Sequence, residues 1–138
     1  MTSGAPYHQA PPYHQAMVKL IFCLRRRVDV SEEEFHRYWR QEHGPLVARH
    51  AAVLGIRRYV QVHTVAGDLN GALVATRGTP DAYDGVAELW FDDEDALVAG
   101  ATSEEGRAAA AELAGDEARF IDHSRSPLFV GHEDPVIG

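Results

Sequence analysis

From Met17 the chain reads MVKLIFCLRRR, an apolar run broken only by Lys19 before its basic end, which predicts a strand over 17–26. The next segment, VDVSEEEF, carries a helix start: Ser31 can cap, Glu34 stands at the reciprocal capping-box position, and Glu32 and Glu33 favour the positive end of the helix dipole. Phe35, Tyr38 and Trp39, followed by Glu42 or His43, recur at helical spacing, and Gly44–Pro45 reads as a stop, so this helix is expected to end near His43. LVARHAAVLG is then a short helical or irregular connection to a second strand over 56–65, IRRYVQVHTV. Alternation there sets Tyr59, Gln61 and His63 on one face and Val60 and Val62 on the other. Residues 66–84, rich in Gly and Asp, read as a long loop. GVAELWF, 85–91, predicts a third strand in which Val86, Glu88 and Trp90 oppose Ala87, Leu89 and Phe91. Asp92 or Asp93 caps a helix, Ser103 starts another that Gly115 ends, ARFIDHS (118–124) is expected as the last strand, and an extended tail follows.

Strand, helix, strand, strand, helix, strand is the ferredoxin-like βαββαβ order, an α+β fold with an antiparallel sheet covered by helices on one face. No spare element remains for the other face, which predicts a two-fold homodimer pairing sheet against sheet. Residues 1–16 repeat PYHQA and hold no aliphatic side chain larger than Ala, so they read as a Pro-rich arm ahead of a single domain over 17–138.

Charge narrows the partners. With 21 acidic against 13 basic residues the net charge is −8, which opposes binding to nucleic acid or anionic lipid. No apolar run reaches membrane-span length, and the single cysteine, Cys23, excludes an intramolecular disulfide and reads as a buried thiol. A cytoplasmic protein acting on a small molecule is the expectation.

MVKLIFCLRRR, SEEEFHRYWRQEHGPLV, RRYVQVH, YDGVAELWF and DEARFIDHSRSPLF together resemble the EthD family of dimeric α+β barrel proteins, over about residues 17–131. The resemblance implies a dimer whose two sheets close into a barrel, with a small-molecule cavity between sheet and helices in each subunit. It leaves the chemistry open, since related barrel families include cofactor-independent monooxygenases, polyketide cyclases, isomerases, lyases and haem enzymes. The arm at 1–16 and the long 66–84 segment depart from the compact family pattern.

Three histidines, His36, His43 and His50, stand seven apart. Seven helical residues rise about 10.5 Å, too far for two of them to share an ion, so the spacing is no metal motif. His36 and His50 read as surface residues. His43 matches the family motif and sits in a last helical turn, where it is either an acid–base group or a cap on backbone carbonyls. Tyr59, Gln61 and His63 face either a cavity or a subunit interface. Glu88 on a central strand needs a cation, Arg25, Arg57 or Arg58, or a raised pKa. Trp39, Trp90 and Phe120 are core residues or substrate stackers. Phosphate loop, cysteine pair, HExxH helix and nucleophile elbow are all missing, and an apolar strand gives Cys23 no reason to be reactive, so neither metal nor cofactor is expected. What remains is acid–base chemistry with His43, His63 and Tyr59 as catalytic candidates and Trp39, Gln61, Glu88, Trp90 and Phe120 as substrate contacts. The class expected is a cofactor-independent lyase, cyclase or isomerase acting on an apolar aromatic or carbonyl compound. The alternatives are a cofactor-free monooxygenase, or a ligand-binding accessory protein without turnover.

Overall fold

The structure, a computed structural model, describes residues 17–138; the Pro-rich arm lies outside the described residues. The elements are β1 (Val18–Leu24), α1 (Glu32–Tyr38), a wide π turn (Trp39–His43), α2 (Gly44–Leu54), β2 (Arg58–His63), α3 (Leu69–Arg77), β3 (Gly85–Phe91), α4 (Glu94–Thr102), α5 (Glu104–Glu117), a 3₁₀ turn (His123–Arg125) and β4 (Leu128–Gly131). The four strands form one antiparallel sheet in the order β2-β3-β1-β4, the ferredoxin-like arrangement.

Register decides which side chains meet. Leu20 pairs with Leu89 and Phe22 with Ala87, while Tyr59 and Gln61 face those same two β3 residues from the other side, so these side chains share the helix-covered face. Lys19, Ile21 and Cys23 share the opposite face with Val60, Val62, Val86, Glu88, Trp90 and Phe129, and among the described residues no helix covers it.

Ser31 caps α1 as its sequence predicts, its hydroxyl accepting from Glu34 N–H at 3.1 Å. The Gly44–Pro45 pair does not end the helix. Pro45 has no N–H to give to the carbonyl four residues back, and its ring would collide with that carbonyl in a regular α-helix. The chain instead widens by one residue: Gly44 N–H reaches back five positions to Trp39 O, and helix resumes through α2 until Gly55, at φ 78°, ends it.

Three further expectations are corrected. The 66–84 segment contains a helix, α3, that buries none of its residues. α5 passes through Gly115 to Glu117. Residues 118–124 are not a strand: a single bridge joins Arg26 to Ile121, after which Asp122 accepts hydrogen bonds from the N–H and hydroxyl of Ser124 and turns the chain. Such side-chain bonds to nearby backbone compete with a ladder, so the fourth strand starts only at Leu128, inside the expected tail.

Two apolar clusters fill the helix-covered side. One holds Phe22, Leu24, Phe35, Trp39, Ala87, Phe120 and Ile121; the other holds Leu46, Val47, Leu54, Ala109 and Leu113. Tyr59 and Leu89 pack against both. No helix among the described residues is long and apolar enough to cross a membrane.

Candidate active site

Members of both clusters line a cavity of about 240 Å³ between sheet and helices. Its wall is apolar except at Trp39, His43, Tyr59 and Glu117. That volume lies just below the roughly 300–1,000 Å³ typical of sites for drug-sized ligands, so it suits a compact molecule of one or two rings.

The π turn places His43 here. With helix continuing beyond it, the ring has no helix end to cap and instead bonds a side chain: Nδ1 lies 2.8 Å from Asp116 Oδ2 at the end of α5. The other oxygen of Asp116 accepts from the Tyr38 hydroxyl at 2.6 Å. His43 is 4% exposed, so its contacts are set by packing rather than by water. Nε2 lies 3.8 Å from Glu117 Oε2, and the other Glu117 oxygen is 3.0 Å from Nε2 of the half-exposed His123. A carboxylate on Nδ1 holds the neutral ring in the tautomer whose Nε2 can accept a proton. Burial, with Asp116 beside it, pushes the Tyr38 phenol up, so it remains a donor.

A second polar chain starts from β2. Gln61 Nε2 lies 2.9 Å from both Trp39 O and the Tyr59 hydroxyl, and Gln61 Oε1 lies 2.8 Å from His63 Nε2. His63 Nδ1 lies 2.7 Å from His36 Nδ1. Burial, then Arg40 and His36, depress His63 to about 4, and burial also lowers His36. Both nitrogens of His63 are thereby engaged by protein, and His36, expected on the surface, is its partner. His50 does reach the surface, 2.7 Å from Glu112.

The sequence candidates therefore separate. Trp39, His43 and Tyr59 meet at the cavity, while Gln61 and His63 stand beside it without lining it. Phe120 packs behind His43, ring centroids 5.3 Å apart, within the core. Glu88 and Trp90 lie on the uncovered face of the sheet, where Glu88 meets Lys19 at 3.4 Å rather than any of the arginines expected. Trp90 lies between Lys19 and Arg58, with both cations within 5 Å of its ring. Asp116, Glu117 and Tyr38 were not candidates from sequence; the adjacent acids in GDEARF were the available signal. Among the described residues no group of three or more His, Cys, Asp or Glu side chains is placed to hold a metal. Cys23 is half-buried on the uncovered face, and burial raises its thiol pKa.

The EthD domain model matches residues 27–124, most of the chain. The chain belongs to the EthD family. Its fold is shared with an ethyl tert-butyl ether D (EthD) family protein of Bacillus halodurans C-125, at 21% identity over 85% of this chain and 98% of that one, TM-score 0.57. It is shared too with a dimeric ferredoxin-like protein of unknown function from Thermobifida fusca YX, at 15% identity over 91% and 99%, TM-score 0.55. SnoaB, a cofactor-independent oxygenase of Streptomyces nogalater, is a more distant likeness at 13% identity over 88% and 97%, TM-score 0.50. No curated protein matches the sequence. At these identities the likenesses establish the EthD fold and leave its chemistry to the site itself.

Proposed function

We propose that this EthD-family protein is a cofactor-independent acid–base enzyme, of lyase, cyclase or isomerase type, acting on a small aromatic or carbonyl-containing molecule. The observation that carries the proposal is His43, buried at the wall of an apolar cavity with Asp116 on Nδ1 and Glu117 beside Nε2. Structural histidines have no need of a cavity on one side and an orienting carboxylate on the other, whereas a general base needs both. In this reading His43 Nε2 takes a proton from carbon or from a phenol, Asp116 stabilises the imidazolium that results, and Glu117 with His123 leads the proton towards solvent. His63 is not the base, because both its nitrogens are engaged and its low pKa keeps it a weak acceptor.

The protein acts as a homodimer in this proposal. The uncovered sheet face carries Ile21, Val60, Val62, Val86 and Phe129, an apolar patch that a second copy of the same face would bury, and a fold relative is described as dimeric.

A second reading keeps the same base. Deprotonating a phenol inside a dry cavity makes the ring electron-rich enough to react with oxygen, and SnoaB carries a cofactor-independent oxygenase activity on this fold. The test is a panel of small phenols and aromatic ketones incubated with the protein in D₂O under an oxygen electrode. Deuterium entering carbon, or a rearranged or cleaved product, without oxygen uptake supports acid–base chemistry. Stoichiometric oxygen uptake moves the assignment to an oxygenase. Saturable binding without either would leave a ligand-binding protein and defeat both.

A further inference from the structure

The polar chain on β2 looks structural until its hydrogens are counted. Trp39 O is a carbonyl and only accepts, so the Gln61 atom 2.9 Å from it is the amide nitrogen, and this fixes the whole side chain. The same NH₂ group then donates to the Tyr59 oxygen at 2.9 Å. Gln61 Oε1 must accept, so neutral His63 carries its hydrogen on Nε2, and its bare Nδ1 accepts from His36 Nδ1–H. The Tyr59 oxygen thus accepts from Gln61, and its own hydrogen has no acceptor among the described residues.

Tyr59 lines the cavity. Of the four polar lining residues, Glu117 is an acceptor when ionised and His43 has its Nδ1 spent on Asp116. Tyr59 O–H is an unspent donor there. Burial pushes the phenol pKa up, with Gln61 and Trp39 opposing, so the group keeps its hydrogen at neutral pH.

We infer that Tyr59 donates a hydrogen bond to a carbonyl or enolate oxygen of the bound molecule, and that Gln61, locked by Trp39 O, holds the phenol in place for it. The cavity thereby selects apolar ligands bearing an oxygen next to the atom that His43 deprotonates, which rests on the acid–base reading of His43. The Gln61 donor arriving at the Tyr59 oxygen stabilises charge there, so the O–H bond is polarised more strongly as negative charge builds on the ligand oxygen.

Acetophenone, a one-ring ketone of suitable size, is the probe, and the infrared stretch of its carbonyl is the readout. Bound to the wild-type protein, the band should lie below its position in hexane, as a hydrogen-bonded carbonyl does. In Tyr59→Phe it should return towards the hexane position, and affinity should fall roughly 3- to 10-fold, the scale of one net hydrogen bond. Gln61→Met leaves the phenol in place but loosens it, so an intermediate, broadened band is expected with the fold retained by circular dichroism. A wild-type band at the hexane position, a Tyr59→Phe band unchanged from wild type, or no binding up to the solubility limit would overturn the inference. The outcome is separable from that of His43: a His43→Gln variant should keep the band shift, and if it also keeps turnover, the acid–base reading fails while the Tyr59 assignment stands.

Discussion

His63 shows how one residue's protonation ties folding to pH. Its folded pKa, about 4, lies below the unfolded value of roughly 6.5. The unfolded chain therefore binds the proton first as pH falls, and the stability contributed by the neutral His36–His63–Gln61 chain is complete above about pH 6.5 and is lost progressively towards pH 4. Urea midpoints should hold steady from pH 8 to 7 and fall from pH 6.5 to 5, and His63→Gln should flatten that fall because the amide has nothing to protonate there. An unchanged slope in the variant would show that other groups carry the pH dependence. Cys23 makes a simpler case: with its thiol pKa raised by burial, it should react slowly with neutral alkylating agents at pH 7.

At the level of elements, Gly85 is where β3 passes under the π turn. A Cβ there would stand 2.8 Å from Trp39 Cη2 and 2.9 Å from Val62 O, so neither the indole at the cavity wall nor the β2 backbone can remain in place. Gly85→Ala should lower stability by about 1–3 kcal/mol, the range for overpacking, measured by urea denaturation. β1 and β3 are legible in sequence because their apolar runs are nearly continuous, and α1 because Ser31 and Glu34 announce it. The Gly-Pro pair is misread because two residues that end most helices are here absorbed by a turn one residue wider. α3 is hidden by the glycines around it, and 118–124 has a strand's alternation but side chains that bond their own backbone. The site follows the same division. Tyr59 shares a face with Gln61 and His63 by simple alternation, whereas the partners of His43 come from α5, 73 residues away, across a contact that no local pattern signals. Glu88 and Trp90 lie on the face opposite the cavity, a division that alternation does not reveal, because it groups residues by face without saying which face the helices cover.

The whole molecule presents one sheet face to its helices and one to something else. If a second copy covers it as proposed, light scattering at micromolar concentration should give about twice the 15.2 kDa chain mass, and Val62→Lys should shift the protein towards monomer by placing a charge in that face. A wild-type monomer would contradict the dimer and leave an apolar patch for another partner. The cavity lies on the helix-covered side and is lined by residues of one chain, so the proposed chemistry needs no residue from a second copy. The measurement closest to that chemistry compares wild type with His43→Gln and Asp116→Asn, using the compound that the phenol and ketone panel shows to be turned over fastest. His43→Gln should reduce kcat roughly a hundredfold or more, the scale of a general acid–base contribution, and Asp116→Asn should reduce it by a smaller factor, with folded structure and ligand affinity largely retained in both. Turnover equal to wild type in folded His43→Gln would contradict the account.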